Sequence, residues 1–425
     1  MVRTVAHNIR AVKETGSDLD VADKTRDQAL RERAQRVLPN GMYGHMAVRP
    51  RLPDAYPQFF ERTSGCRMWD VDGNEYIDFI CAYGPMIAGY GNERIRAAAD
   101  AQRERLDMAN GPPAALLEFA EKFTRQVSHA DWAIFAKNGN DATTVCNMIA
   151  RSRSTKRKIL VCETAYHGSQ PWANRMSRGT PPEEHVHYPT YRFNDIESVT
   201  AAADAASGDL AGIVVSTYRH DIPHTQELVD PAFARKVREI CDAEGAALIL
   251  DDVRGGLRLS LDASWSEFGI QPDLSAWGKA IANGEPLAGV VGGDHYREAA
   301  EKIFVTGSFW YQGAPFAAAS ETLDVLAETD APRYMERLGQ QFRDGLYEQA
   351  QRHGHGILQS GPPQMPMLQF EDDPDTKKGF AFCVNALRHG VYLHPWHNMF
   401  LSVAHTEADI EEALEGTEKA FAELA

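Results

Sequence analysis

Hydrophobic and polar positions change rhythm repeatedly between residues 113 and 292. Helical spacing covers 113–128, 141–153 and 231–244, and short, mainly apolar strand-like runs cover 132–136, 158–163, 211–216 and 246–250, with two more near 273–276 and 287–292. A strand that is apolar on both faces must be covered on both. The alternation therefore predicts an α/β fold with a mainly parallel sheet and helices on its two sides. Sheets of this kind bind ligands outside the carboxyl ends of their strands. The run Ala246 to Leu250 stops in two acids, Asp251 and Asp252, and the run at 273–276 is soon followed by Lys279 and a small-residue stretch, Ala-Ile-Ala-Asn-Gly.

The flanks read differently. Residues 1–22 are polar and irregular, an arm by pattern, and 23–38 have helical spacing (Leu30, Ala34, Val37, Leu38) ended by Pro39-Asn40-Gly41. A Pro-, Gly- and aromatic-rich loop follows over 41–60, a stretch whose mixed chemistry, with Tyr43 and His45, suits a substrate-lining segment. Two alternating stretches over 64–80 flank Asp72-Gly73-Asn74, a tight-turn signal, so a β-hairpin is expected there. A helix is expected at 93–107. Beyond 315 come helices at 316–327 and 332–352, strands near 366–370, 391–394 and 399–403, and a last helix opened by Thr406-Glu-Ala-Asp409, a capping-box pattern. These divisions predict an N-terminal segment over 1–75 that joins a small α+β domain, a large domain over 76–320, and the rest of the small domain over 321–425.

Charge narrows the partners. Asp and Glu number 60 against 44 Lys and Arg, a net −16, which argues against nucleic acid and anionic membranes. No apolar run approaches the roughly 18 residues of a membrane span, and the first twenty residues lack the apolar core of a secretory signal, so a cytoplasmic protein is expected. The six cysteines form no C-x-x-C pair, which reads as reduced buried thiols with no metal site.

Five stretches carry candidate chemistry. A lysine is usually a solvated surface residue. Lys279, set between an apolar run and small residues, is instead a candidate for a desolvated amine that attacks carbonyls. Asp251 either caps its strand or faces a protonated ring nitrogen, and Asp252 either supports its neighbours or is solvated. Lys137-Asn138-Gly139-Asn140-Asp141 joins a strand to a helix. It is an ordinary N-cap or, with its free amides, a phosphate site. Tyr166 and His167, on the loop after 158–163, either anchor that loop or stack on a planar cofactor. Thr306 and Ser308, in a Gly- and aromatic-rich loop, are either turn residues or hydroxyl donors to phosphate.

In their order these pieces resemble the class III aminotransferases of pyridoxal phosphate fold-type I, and within them the glutamate-1-semialdehyde aminomutase-like proteins. Trp69-Asp-Val-Asp-Gly-Asn-Glu-Tyr-Ile-Asp78 looks like the family's hairpin, Ala82-Tyr-Gly-Pro85 like its S-W-G-P, Asn138 to Ala142 like its S-G-T-E-A phosphate loop, and Tyr166-His167-Gly168 like its Y-H-G. Asp251-Asp-Val253 looks like D-E-V and Gly278 to Gly284 like G-K-x-I-x-x-G, with Asp251 and Lys279 28 residues apart. The resemblance implies a seven-stranded-type sheet and pyridoxal phosphate as cofactor. Lys279 would be its covalent attachment and proton carrier, Asp251 its ring-nitrogen partner, and Tyr166 and Val253 would lie on its two faces, with His167 alongside. Gly139 and Asn140, with Asn138, would hold the phosphate. A homodimer is also implied, with a hydroxyl of Thr306 or Ser308 reaching the partner's phosphate.

Asn138, Asn140, Asp141 and Asp252 depart from the family pattern, and Arg49 does not align with the aminomutase arginine that holds a substrate carboxylate. An aminotransferase is therefore expected that moves an amino group from glutamate or a similar donor to an aldehyde or ketone, such as an amino-sugar or other secondary-metabolite carbonyl. Tyr43, His45, Tyr83 and Arg254 are its substrate candidates. The alternatives are a 2,1-aminomutase, a racemase, and a non-catalytic binding protein of the same fold; a nucleotide-binding dehydrogenase lacks its G-x-G-x-x-G.

Overall fold

The structure is a computed structural model and describes residues 25–175, 179–220 and 225–424. The arm expected at 1–22 lies outside them. By contact the chain forms two compact units, one holding the described residues up to Cys81 and from Arg337 onward, the other Ala82–Glu336.

In the first unit the helix Thr25–Val37 precedes three antiparallel strands, β1 (Phe60–Ser64), β2 (Arg67–Asp70) and β3 (Glu75–Asp78). The expected hairpin is β2–β3. Asp70 ties its turn, accepting from the amides of Asp72 (3.0 Å) and Asn74 (2.9 Å) and from the Tyr76 hydroxyl (2.7 Å). The pattern gave no sign of β1, and every one of its residues is exposed, so it has no apolar face to read.

The second unit carries a seven-stranded sheet. Its strands are β4 (Trp132–Ala136), β5 (Lys158–Cys162), β6 (Thr190–Tyr191), β7 (Leu210–Ser216), β8 (Ala247–Asp251), β9 (Leu274–Trp277) and β10 (Ala288–Gly292), in the order β4-β10-β9-β8-β7-β5-β6. Only β10 runs against its neighbours; the other pairs are parallel. Every residue of β7 and β8 is buried, as continuous apolar strands require. The helix Gly139–Arg153 covers one face with Val145, Cys146 and Ile149, in one cluster with Ile159, Val214, Ile249 and Val290. On the other face Phe119, Phe135 and Phe316 meet ring to ring, and Phe123 packs edge-on against Trp277. Each such buried side chain contributes about 1.5–3 kcal/mol.

The helix Pro231–Glu244 shows how the connections are punctuated. Asp230 accepts from the Ala232 amide at 2.7 Å, Pro231 opens the helix, and Gly245 (φ 61°) ends it, turning the chain into β8. Because β10 is antiparallel to both β4 and β9, the carboxyl ends of β4, β7, β8 and β9 lie on one edge of the sheet.

The helix Ala331–Arg352 leads back to the first unit, followed by the β11 (Ile357–Ser360) and β12 (Met367–Phe370) pair, the helix Lys377–Arg388, β13 (Val391–Tyr392) parallel to β3, and the helix Glu407–Ala422 with Thr406 and Asp409 as its capping box. The strand expected at 399–403 does not form. Its amides donate in turn to the carbonyls of Pro366, Phe79 and Gln364, which belong to two different segments, so no continuous ladder forms. Among the described residues no helix is long and apolar enough to cross a membrane.

Candidate active site

The end of β8 splits its two acids by the alternation of a strand. Asp252 is buried. Its Oδ1 accepts from the hydroxyls of Thr217 (2.9 Å) and Ser264 (2.6 Å), and its Oδ2 from the Ser264 amide (2.9 Å). Burial pushes its pKa up to about 6. Asp252 thus supports its neighbours, tying the loop after β7 to the segment at 264.

Asp251 takes a different set of partners. Its Oδ2 accepts from Nδ1 of the buried His167 at 2.7 Å, and its Oδ1 from the Val253 amide at 3.1 Å. His167 stacks on Trp172 (centroids 6.4 Å), and Trp172 on Tyr188 (5.1 Å), so the imidazole is fixed in plane and distance. With Nδ1 given to the carboxylate, its buried Nε2 has no hydrogen-bond partner among the described residues.

Lys279 reaches the same edge from β9, two residues beyond Trp277. Its backbone is left-handed (φ 46°), a conformation that costs a residue with a Cβ roughly 1–2 kcal/mol. Its Nζ donates to the Tyr83 carbonyl at 2.8 Å. Burial lowers its pKa to about 7; the charges of Arg254 and Arg258 act in the same direction and Asp251 opposes them. A lysine in this state has a neutral, nucleophilic fraction at ordinary pH.

The turn after β4 lies alongside. A Cβ placed on Gly139 would meet Val253 Cγ1 at 2.7 Å, and one on Gly278 would meet it at 3.3 Å, so Val253 sits against both glycines and only a residue without a side chain fits at 139. Gly139 opens the helix Gly139–Arg153, whose geometry leaves the Gly139 and Asn140 amides without acceptors inside the helix. The Asn138 amide is instead taken by Asp141 Oδ2 (3.1 Å). The Asn140 side chain is also occupied, its Nδ2 donating to Ser169 Oγ and its Oδ1 accepting from the Ser169 amide, both at 3.0 Å. It braces the Tyr166–Ser169 loop, which leaves its backbone amide as the donor toward an anion.

Other expected residues are placed unevenly. Tyr166 is 56% exposed, next to the buried His167. Arg254 is half-buried, hydrogen-bonded to Tyr218 and within electrostatic reach of Asp251 and Tyr166, and burial lowers its pKa. Tyr83 takes part through its carbonyl. Thr306 and Ser308 are exposed, and no hydrogen bond among the described residues joins them to the Asp251–Lys279 group. Tyr43 and His45 belong to the other unit and are exposed there.

Three further residues escaped the sequence reading. His220 is buried just beyond β7, pairs its Nδ1 with the Tyr218 carbonyl (2.9 Å), and is held neutral by burial and by the Arg254 charge. Its signal was available, since polar residues directly after a buried parallel strand face the ligand edge. Lys137 follows β4 directly; its Nζ is buried with no hydrogen-bond partner among the described residues, and burial lowers its pKa to about 8. Arg258, fully buried, gave no local signal.

A carboxylate and a low-pKa amine at one sheet edge, a helix N-terminus with free amides and a flat apolar wall of valine against two glycines together fit a phosphorylated aromatic aldehyde. The aminotransferase class-III family model matches residues 50–421. The chain belongs to the class-III aminotransferases. An aminopentol aminotransferase from Sphingopyxis macrogoltabida is 47% identical to it over 404 residues, 94% of this chain and 95% of that protein. The structure of the PLP internal aldimine form of the Sphingopyxis sp. MTA144 FumI protein superimposes with a TM-score of 0.92 at 47% identity, covering 94% of this chain and 96% of that one. A glutamate-1-semialdehyde 2,1-aminomutase from Methanococcoides burtonii is 30% identical over 423 residues, 92% of this chain and 97% of that protein. The α/β architecture of this aminotransferase is therefore that of PLP fold-type I, as the motif order implied. Among the described residues no group of three His, Cys, Asp or Glu side chains is placed to hold a metal ion.

Proposed function

We propose that this aminotransferase moves an amino group between an amino acid, such as glutamate, and the carbonyl of a polyhydroxylated substrate, using pyridoxal phosphate. The observation that carries the substrate reading is Arg254, held by Tyr218 beside Lys279 and Asp251, where a guanidinium receives the carboxylate of the amino acid or keto acid. The 47% identity to an aminopentol aminotransferase, whose name describes an amine on a polyol, favours the other substrate.

The residues fit the cofactor. The amides of Gly139 and Asn140 would bind its phosphate at the helix N-terminus, Val253 would pack on one face of its ring and Tyr166 on the other. Once bound, pyridoxal phosphate supplies an aldehyde that takes up the amino group and a ring that withdraws electrons from the substrate Cα. Asp251, aimed by His167 and the Val253 amide, holds a proton on the ring nitrogen. Lys279 Nζ takes the proton from the substrate Cα, a task that needs the neutral amine its burial provides.

The active form is a homodimer with shared sites. Phe304 (85% exposed), Phe309 (64%) and Tyr311 (42%) put an apolar surface around Thr306 and Ser308, and covering it with a second copy brings those hydroxyls to the partner's phosphate. Six free, buried cysteines suit the reducing cytoplasm.

The test is amino transfer from a polyhydroxylated primary amine to 2-oxoglutarate. One glutamate is expected per carbonyl product. An amine shifted within its own carbon chain with no 2-oxoglutarate consumed would replace this reading with an aminomutase.

A further inference from the structure

Two left-handed backbone stretches meet at Lys279. One is Lys279 itself (φ 46°); the other is Ala82-Tyr83-Gly84, with φ of 53°, 62° and 107°. Left-handed conformations at residues with a Cβ persist only where their surroundings hold them. Two side chains hold this turn. Arg258 Nη2 donates to the Gly84 carbonyl at 2.6 Å, and Lys279 Nζ donates to the adjoining Tyr83 carbonyl at 2.8 Å. Arg258 is fully buried, and its Nη1 lies 3.8 Å from the Met335 sulfur, so its guanidinium is a fixed strut.

We propose that Arg258 is a positioning residue for Lys279: by fixing the Gly84 carbonyl it keeps the adjoining Tyr83 carbonyl where it receives the Lys279 amine whenever that amine is not joined to the cofactor. The proposal rests on the reading of Lys279 as the cofactor lysine. A free lysine side chain has four rotatable bonds, and confining it costs up to ~2 kcal/mol of entropy. One accepted N–H at a fixed carbonyl confines it beforehand and leaves the nitrogen lone pair for the proton at Cα. The Arg258 charge adds a second effect. With Arg254, and against Asp251, it disfavours a charged amine at 279; the two nearby imidazoles are the neutral His220 and the Asp251-bound His167.

The test uses the full-length enzyme and two variants. Arg258→Met removes both charge and donor, and Arg258→Lys keeps a charge and a donor. After treatment with an amino donor, which frees the lysine, the rate at which a small acylating reagent labels Lys279 is followed against pH by peptide mass. A midpoint near pH 7 is expected for the wild type. Removal of a neighbouring charge raises it by about one unit in Arg258→Met. In that variant kcat falls about tenfold while KM for the donor holds, and Arg258→Lys returns both midpoint and kcat most of the way. Where Arg258→Met fails to fold, Arg258→Gln carries the midpoint measurement. Unchanged midpoint and kcat in the folded variants would overturn the proposal. A wild type in which Lys279 never carries the cofactor would instead overturn the parent reading.

Discussion

Lys279→Ala is expected to remove measurable transamination and the visible absorbance that the bound cofactor owes to its lysine link. Two functions are lost at once, the covalent hold and the proton carrier, and the second alone is worth ~10²- to 10⁴-fold. The fold should survive. Among the described residues the side chain makes one hydrogen bond, to the Tyr83 carbonyl, and alanine tolerates the backbone no worse than lysine does. Added methylamine should return a small part of the rate, because it replaces the missing amine and leaves every other group in place. Turnover within tenfold of wild type would mean that another group moves the proton.

Asp251→Asn carries the second large effect. Asparagine keeps the shape and one accepting oxygen, enough for one of the two bonds that aim Asp251, from the Val253 amide, while its NH2 group faces His167 Nδ1 and the imidazole must change tautomer to accept from it. It loses the negative charge that holds a proton on the ring nitrogen. We expect kcat to drop ~10²- to 10³-fold, about 3–4 kcal/mol of barrier, with KM for the donor changed far less. The His167–Trp172–Tyr188 stack should keep the site in register, so circular dichroism and thermal unfolding should stay near wild type. A loss of threefold or less would show that the carboxylate does not face the ring.

The parts of this enzyme that were legible from the chain are those whose signals are local. Strands β7 and β8 are apolar throughout because they are buried on both faces, and that is visible as an unbroken run. Asp251 and Lys279 stand out because each breaks or follows such a run. The helix caps at Asp230–Pro231 and at Thr406–Asp409 are likewise written in neighbouring residues.

What was not legible depends on residues far apart in sequence. Arg258 looked like any arginine, and its role follows from the Gly84 carbonyl 174 residues earlier. Asn140 has a side chain that could donate to a phosphate, but Ser169 occupies it, and only the fold brings those two together. The segment 399–403 is apolar enough for a strand, but its amides donate in turn to Pro366, Phe79 and Gln364, carbonyls of two different segments, so no continuous ladder forms. Strand β1 carries no apolar face and exists because β2 offers it an edge.

Everything proposed for the site depends on Lys279 being the residue to which pyridoxal phosphate is joined. Borohydride reduction of the holoenzyme fixes that link, and a peptide map then locates it. The phosphopyridoxyl group is expected on Lys279 alone. Finding it on another lysine, such as Lys137 at the end of β4, or finding none after the cofactor has been added, would contradict it.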